Sequence, residues 1–442
     1  MFQNSGLILA ASSSNSGKTT LSLGLQRLLL RRGLEVAPAK CGPDYIDPAF
    51  HAVASGRASL NLDPFAMSSD DLRIRAANQM AKADMLFVEG VMGLFDGAAK
   101  GRGSTADLAR HLKLPTVLVL DVKGQAQTAA AIAHGIRSFD PDIEIAGVVL
   151  NRVGSMAHEA LLRESFDQVD IPIIGAVRAS DKLALPSRHL GLVQAGEHPE
   201  LDAQIDAIAD HMAPDVDLDK LLSLTNGSAD HLADLQGEKP AKQLPPLGRH
   251  IAIARDEAFA FLYPHLVTDW KEQGADISFF SPLADEAPDP EADAIYLPGG
   301  YPELHLEALD AAQSFRRAMG KAHDDGLCIY GECGGYMMLG EAIIDANGIS
   351  HPGLDLLPVT TSFASPKLKL GYRQLVPVGG YPWSMSLLAH EFHYSQEPGM
   401  NQDPEPTARL FHASNASGKQ LPDMGHQVGN TFGSYAHVIA PA

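Results

Sequence analysis

Cys333 lies in the stretch GLCIYGECGGYMMLG, between Gly331 and the Gly334–Gly335 pair and directly after an apolar run. That pattern predicts a strand, a sharp elbow and a helix, with the thiol pushed out at the helix N-terminus. A free thiol with a pKa near 8.5 is only about 3% thiolate at neutral pH. A helix end and a neighbouring histidine would lower that pKa and make Cys333 a nucleophile. The Gly334 amide would serve as an oxyanion donor, with a second donor from YLPGGYPELH around Gly300 and Tyr301. Cys328 sits inside the apolar strand and reads as core.

The chain has eighteen histidines, most of which must be structural or superficial. His437, in GNTFGSYAHV, follows a Gly-Ser turn in an apolar setting that would fix its ring, so it is the candidate base. His390 and His393 in HEFHYS would point to opposite faces of a strand and are expected to serve in packing or at the domain interface. H-E-F-H does not match the zinc pattern H-E-x-x-H.

A second chemistry is written near the start, in SSSNSGKTT. A small-residue loop between a strand and a helix presents backbone amides to phosphate oxygens. Ser14, Asn15, Ser16, Gly17, Lys18, Thr19 and Thr20 are the expected ATP-binding residues. Lys18 would neutralise terminal phosphates and Thr19 would hold magnesium. The usual pattern has glycine where this chain has Ser12. KCGPDYIDP supplies Asp44 and Asp47, and VEGVMGLFDG supplies Glu89 and Asp96. Any one of these acids taken alone reads better as a turn or cap residue. Together, at strand ends, they are expected to converge on the loop to hold Mg2+ and position a phosphoryl acceptor. Thr19, Asp47 and Glu89 are the expected metal set.

The elements that must position these residues are legible as apolar runs. GLILAAS, EVAPAK, DMLFVEGV, TVLVLDV, IEIAGVVLN and IPIIGAV have no polar face, which suits a parallel sheet covered on both sides. Amphipathic segments such as TTLSLGLQRLLLRRG, closed by Gly33, alternate with them, so the expected class is α/β and doubly wound. Residues 224–249 are polar and rich in Gly and Pro and read as a linker. Beyond it HIAIARDEAF, DISFFSPL, AIYLPGG and GLCIYGE form a second α/β series, followed by a less regular C-terminal part. The expected domains are therefore 1–223 and 250–442, consistent with a chain of 442 residues.

Bulk properties exclude other classes. A formal charge of −20 opposes nucleic-acid binding, and anionic ligands must be held by local cations, amides or metal. Screening over roughly 8 Å makes that feasible. No apolar run reaches membrane-spanning length. The opening MFQNSGLILAAS carries no basic leader, and three cysteines form no framework. A cytoplasmic protein without a membrane partner is the expectation.

The elbow GECGGYM, the loop LPGGYPE and the terminal GSYAH resemble the glutamine amidotransferase half of the cobyrinic acid a,c-diamide synthase family. KCGPDYIDP, NLDPF, VEGVMGLFDG and HEFHYS resemble the same family, so the resemblance spans nearly the whole chain. It implies an ATP-dependent amidoligase domain similar to dethiobiotin synthetase, then a class I type glutaminase. It implies Cys333 as nucleophile and His437 as its base, with ATP, L-glutamine and magnesium. It further implies a corrinoid polycarboxylate as substrate, amidated through an acyl phosphate at its a and c acetates. Asn61 and Asp63 in NLDPF match a family stretch to which no role is assigned.

Many class I glutaminases carry a Glu two residues after the histidine, where this chain has Ile439. The orienting group is therefore open, with Glu391 as a speculative substitute. Cobyric acid synthase or a synthase acting on a nickel tetrapyrrole is the nearest alternative. A partitioning-ATPase-like nucleotide switch is the alternative from another class, opposed by the retention of Cys333 and His437. A homodimer is the one oligomeric form entertained, and the cobalt content of the corrin stays open.

Overall fold

The computed structural model describes residues 4–180, 187–188, 191–192, 194–398 and 409–442. The chain divides into two compact units, Met1–Ala241 and Lys242–Ala442. Among the described residues no helix is long and apolar enough to cross a membrane.

The first unit holds seven parallel strands: β1 (Ser5–Ala11), β2 (Val36–Cys41), β3 (Leu60–Leu62), β4 (Met85–Glu89), β5 (Thr116–Asp121), β6 (Ile145–Val153) and β7 (Ile173–Arg178). Their order is β3-β2-β4-β1-β5-β6-β7. Chain order reverses direction beside β1, which opens a crevice at the carboxyl ends of β1, β2 and β4. The strands are buried along almost their whole length, which is why they read as continuous apolar runs.

Helix α1 (Lys18–Arg31) follows β1, and α2 (Ile46–Ser55) follows β2. From α1, Leu21, Leu25, Leu28 and Leu29 enter a core shared with Leu7 and Leu9 of β1. Ile208 and Met212 of α3 (Leu201–Met212) complete that layer. Arg27 pairs with Asp202 and Asp206 at 2.6 Å each, and Arg31 with Asp206 at 2.7 Å, fixing α3 along α1. Gly33 follows α1 at φ 83°.

The first half of the polar stretch 224–249 is folded into helices and turns, and residues 238–249 carry no helix or strand. It contains the end of α4 (Leu218–Thr225) and all of α5 (Asp230–Ala233), and Leu232 is fully buried. Ser228 Oγ accepts from Gly6 N at 2.9 Å and donates to Gly6 O at 2.8 Å. Ala241 N donates to Asp71 Oδ1 at 2.7 Å, so the chain up to residue 241 belongs to the first unit. The polarity seen in the sequence serves these hydrogen bonds.

The second unit is built on β8 (His250–Ala254), β9 (Asp276–Phe280), β10 (Ala294–Leu297), β11 (Cys328–Glu332), β12 (Lys369–Pro377), β13 (Leu387–His393), β14 (Arg409–Asn415), β15 (Met424–Val428), β16 (Thr431–Ser434) and β17 (Ala436–Pro441). They form one sheet in the order β9-β8-β10-β11-β16-β15-β14-β12-β13-β17. The part from β9 to β16 is parallel, and the remainder pairs antiparallel. The less regular C-terminal part is thus an antiparallel extension. It brings the strands that carry HEFHYS and His437 side by side, with His390 opposite His437.

Candidate active sites

The loop after β1 turns into α1 through Gly17, the N-cap residue, at φ 89°. Asn15 is also left-handed, at φ 62°. Ser16 Oγ donates to Ser13 O at 2.9 Å and closes the loop on itself. From β6, Asn151 Nδ2 donates to Ser16 O at 2.8 Å and Arg152 Nη1 to Asn15 O at 3.1 Å. Arg152 is itself held by Asp121 at the end of β5. No motif marks Asn151 and Arg152 in the sequence; their only signal is their place at the carboxyl end of an apolar strand.

Below the loop three of the four expected acids, Asp44, Asp47 and Glu89, gather around Lys40, a residue to which the sequence alone gives no role. Thr19 Oγ1 donates to Glu89 Oε1 at 2.8 Å and approaches Asp47 Oδ2 at 3.3 Å. The Lys40 ammonium lies 2.5 Å from Asp47 Oδ2, 2.8 Å from Glu89 Oε1 and 3.8 Å from Asp44 Oδ2. Behind Glu89, His51 Nε2 meets Oε2 at 2.7 Å and His51 Nδ1 meets Ser59 Oγ at 3.3 Å.

Electrostatics follow from this burial. Burial alone would strip Lys40 of its proton, but Asp47, Glu89 and Asp44 hold its pKa well above the ordinary value. Burial would raise Glu89, yet Lys40 and His51 hold it well below the ordinary carboxylate range. Lys18, buried and repelled by Lys40, falls to about 8. Its ammonium donates to Met92 O in the VMG turn.

The other two acids play smaller parts. Asp44 Oδ1 caps the start of α2 by accepting from Ile46 N at 2.8 Å. Asp96 Oδ2 accepts from Gly93 N at 3.1 Å and reaches Lys18 only as a nearby charge. Asn61 Nδ2 donates to Gly42 O and Asp44 O at 2.9 and 2.7 Å, shaping the KCGPDYIDP loop. Asp63 Oδ1 accepts from Phe65 N at 2.9 Å and is a turn residue. Among the described residues, no group of three or more His, Cys, Asp and Glu is arranged to hold a metal ion. The hydroxyl and carboxylates of Thr19, Asp47 and Glu89 are nevertheless hard oxygen donors of the type magnesium takes, and they fit it by chemistry.

In the second unit, Cys333 stands between β11 and the short helix α6 (Gly334–Leu339). Its backbone is at φ 45°, ψ −103°, a strained conformation for a residue with a Cβ. Cys333 N donates to Ser434 O at 2.9 Å, and Sγ lies 3.9 Å from Phe392 O of the HEFHYS strand. Gly334 packs on the Gly300 backbone so closely that a Cβ there would lie 2.9 Å from Gly300 N. The two segments expected to supply oxyanion donors are thereby adjacent. Tyr301 packs its ring edge on Phe261 at 5.0 Å.

The His437 ring lies against Gly299: a Cβ at that glycine would be 2.3 Å from His437 Cε1. Only glycine lets the ring rest there. Burial, with His390 and His393 nearby, lowers His437 to about 3. The expected depression of the Cys333 thiol is not found, because burial pushes its pKa up. Cys333 therefore rests as the thiol and His437 as the neutral imidazole. Cys328 is core, with its thiol pushed up to about 12 by burial.

Glu391 is committed elsewhere. Arg373 Nε donates to its Oε2 at 2.6 Å, and its Oε1 meets His393 Nε2 at 2.8 Å. Burial would raise its pKa, but His393 and Arg373 hold it at about 2. His393 also stacks on Tyr435 at 3.6 Å and belongs to the wall beneath the elbow.

The model of the CobQ/CobB/MinD/ParA nucleotide binding domain matches residues 7–193, and that of the CobB/CobQ-like glutamine amidotransferase domain matches residues 250–442. A hydrogenobyrinate a,c-diamide synthase of Brucella abortus biovar 1 (strain 9-941) is 51% identical over 437 residues, 98% of either chain. The protein of that name from Rhizobium meliloti (strain 1021) is 49% identical over 434 residues, 98% of this chain and 99% of its own. That from a Sinorhizobium species is 47% identical over 435 residues, 98% of either chain.

Proposed function

Because the chain belongs to the hydrogenobyrinate a,c-diamide synthase family, we propose that it converts the a and c acetate carboxylates of hydrogenobyrinic acid to amides, using ATP and glutamine. The observation that carries this reading is one chain holding both a braced phosphate loop, with Lys40 beneath it, and a strained thiol elbow in a unit whose sheet also carries a buried, neutral histidine.

Carboxylate and ammonia do not form an amide at useful equilibrium in water, so the carboxylate is first activated. Amides of the 14–17 loop segment cradle the phosphates of ATP, and Lys18 and Lys40 offset charge as the γ-phosphoryl group passes to the carboxylate. Thr19, Asp47 and Glu89 would hold a magnesium ion, whose contribution is to neutralise phosphate charge. Each amidation uses one ATP and one glutamine.

Ammonia in bulk water is mostly ammonium, a poor nucleophile. It is generated instead at Cys333. The thiol proton goes to His437 as Sγ bonds the glutamine amide carbon, and the Gly334 amide and the Gly300–Tyr301 segment stabilise the oxyanion. His437 returns the proton to departing ammonia, then activates the water that cleaves the thioester. Residues 250–442 are the glutaminase domain in this reading, and the first unit is the synthetase.

The test is to incubate the protein with ATP, glutamine and either hydrogenobyrinic or cobyrinic acid, and to identify products by mass spectrometry and NMR. The expected product is the a,c-diamide, from the cobalt-free corrin. Amidation at other side chains would make it a cobyric acid synthase-like enzyme, and no amidation of either ring would overturn the reading.

A further inference from the structure

The carboxylate that class I glutaminases place two residues after the histidine is missing here, since Ile439 is buried core and its carbonyl accepts from His265 Nε2 at 2.9 Å. Another buried carboxylate reaches the same histidine from a different strand. Glu332, the residue immediately before Cys333, is 1% exposed, and its Oε2 lies 3.8 Å from His437 Nδ1. The carboxylate is fixed from two sides. Tyr296 OH, on β10, donates to Oε2 at 2.7 Å, and Val438 N, next to His437 on β17, donates to Oε1 at 3.0 Å.

That last bond joins strands far apart in the order of the sheet, because β17 pairs with β13 while Glu332 ends β11. It ties the histidine strand directly to the nucleophile strand. Glu391, the alternative carboxylate, is taken by Arg373 and His393.

We propose that Glu332 is the positioning carboxylate for His437, so that the glutaminase works as a Cys333–His437–Glu332 set whose acid precedes the nucleophile. This rests on the glutaminase reading above. When Sγ forms its bond to the amide carbon, the thiol proton passes to His437 Nε2 and the ring becomes imidazolium. Glu332, within ion-pair distance of Nδ1, offsets that charge. The contact would shorten as the ring charges, since hydrogen bonds in such sites tighten along the reaction. The proton then leaves His437 Nε2 with ammonia as the C–N bond breaks, and the ring is neutral again. Glu332 itself exchanges no proton with substrate.

The groups facing this set are few. Tyr296 and Tyr330 stand beside Glu332; His390, His393 and Glu391 surround His437; Glu303 and Glu391 act on Cys333. Burial raises Glu332 to about 7, against the hydrogen bonds from Val438 and Tyr296. The carboxylate form, which the imidazolium needs, is therefore lost as pH falls through that value.

The experiment is ammonia release from glutamine by the full chain between pH 5.5 and 9, with ammonium-dependent amidation followed in parallel. The parent should show an acid limb near pH 7. Glu332→Gln should lose that limb and about 10- to 100-fold in kcat, with KM within about threefold. Ammonium-dependent amidation should stay within twofold. Glu332→Asp should recover part of kcat, an effect that loss of packing alone would not produce. Should the glutamine variant fold poorly, Tyr296→Phe serves instead: losing a bond to the carboxylate should move the limb to higher pH. Retention of the parental limb and rate by Glu332→Gln, an unmoved limb in Tyr296→Phe, or a limb that follows Glu391→Gln instead, would overturn the proposal. The underlying reading fails separately if Cys333→Ala still releases ammonia at the parental rate, and the proposal falls with it.

Discussion

The two sites sit at the carboxyl ends of parallel strands, yet their electrostatic designs are opposite. Beneath the phosphate loop the buried groups form an ionic set: the Lys40 ammonium meets the Glu89 carboxylate, with His51 behind, and also lies against Asp47, whose pKa burial and the neighbouring Asp44 raise. At the elbow Cys333 and His437 are neutral, and burial holds them so. Phosphoryl transfer moves several negative charges and needs fixed countercharge. Thiol attack moves one proton and needs a base that has not yet taken it. One fold principle thus serves two chemistries by changing which charges it buries.

The largest effect that would break this contrast is on stability. Lys40→Met leaves Asp47 and Glu89 facing each other without their cation, and should cost about 3–5 kcal/mol. Urea denaturation would measure it, and adding Glu89→Gln should return part of the loss. Little change in Lys40→Met would mean that the buried ionic set is not structural.

Next in size is catalysis. Lys18→Met should lower amidation by about 10²- to 10³-fold with either nitrogen source, while ammonia release from glutamine persists in the absence of corrin. Equal loss of glutamine hydrolysis would blur the division between the sites.

The neutral histidine gives a smaller, pH-dependent effect. With His437 lowered to about 3 in the fold and near 6.5 when unfolded, its contribution is complete above pH 6.5 and is lost as pH falls toward 3. Replacing it, as in His437→Asn, should therefore reduce the acid-induced loss between pH 6.5 and 4.5 by about 2–3 kcal/mol. Parallel stability–pH curves for parent and variant would contradict a buried neutral ring.

The smallest expected effect sharpens the seat of that ring. Gly299→Ala introduces a Cβ 2.3 Å from His437 Cε1 and should cost glutamine hydrolysis about tenfold through displacement of the base. Ammonium-dependent amidation should not follow it.

Much of this arrangement was legible in the sequence, for reasons that differ by region. Strands buried on both faces announce themselves as apolar runs, so the six strands read in the first unit correspond to β1, β2, β4, β5, β6 and β7. The three residues of β3 are too few to carry a period. In β13 buried and half-exposed residues alternate, and in β12 Lys369 and Leu370 are exposed, so the antiparallel extension left only a faint pattern. The residues of the phosphate-loop motif and of the thiol elbow were visible because glycine and small residues flag them. Their partners were not: Lys40, His51, Asn151 and Glu332 act through contacts that join different strands, helices and loops. Lys40 did leave one signal, a cation ending an otherwise apolar strand. Glu332 stood inside the quoted motif, but only the fold brings it within 3.8 Å of His437.

The proposed chemistry is divided between an ionic site and a neutral thiol site. Cys333→Ala tests it most directly, assayed for corrin amidation with glutamine and, separately, with high ammonium. Glutamine-dependent amidation should fall on the order of 10³-fold or more, and ammonium-dependent amidation should remain within about twofold of the parent. Equal loss of both activities in a folded variant would contradict the division.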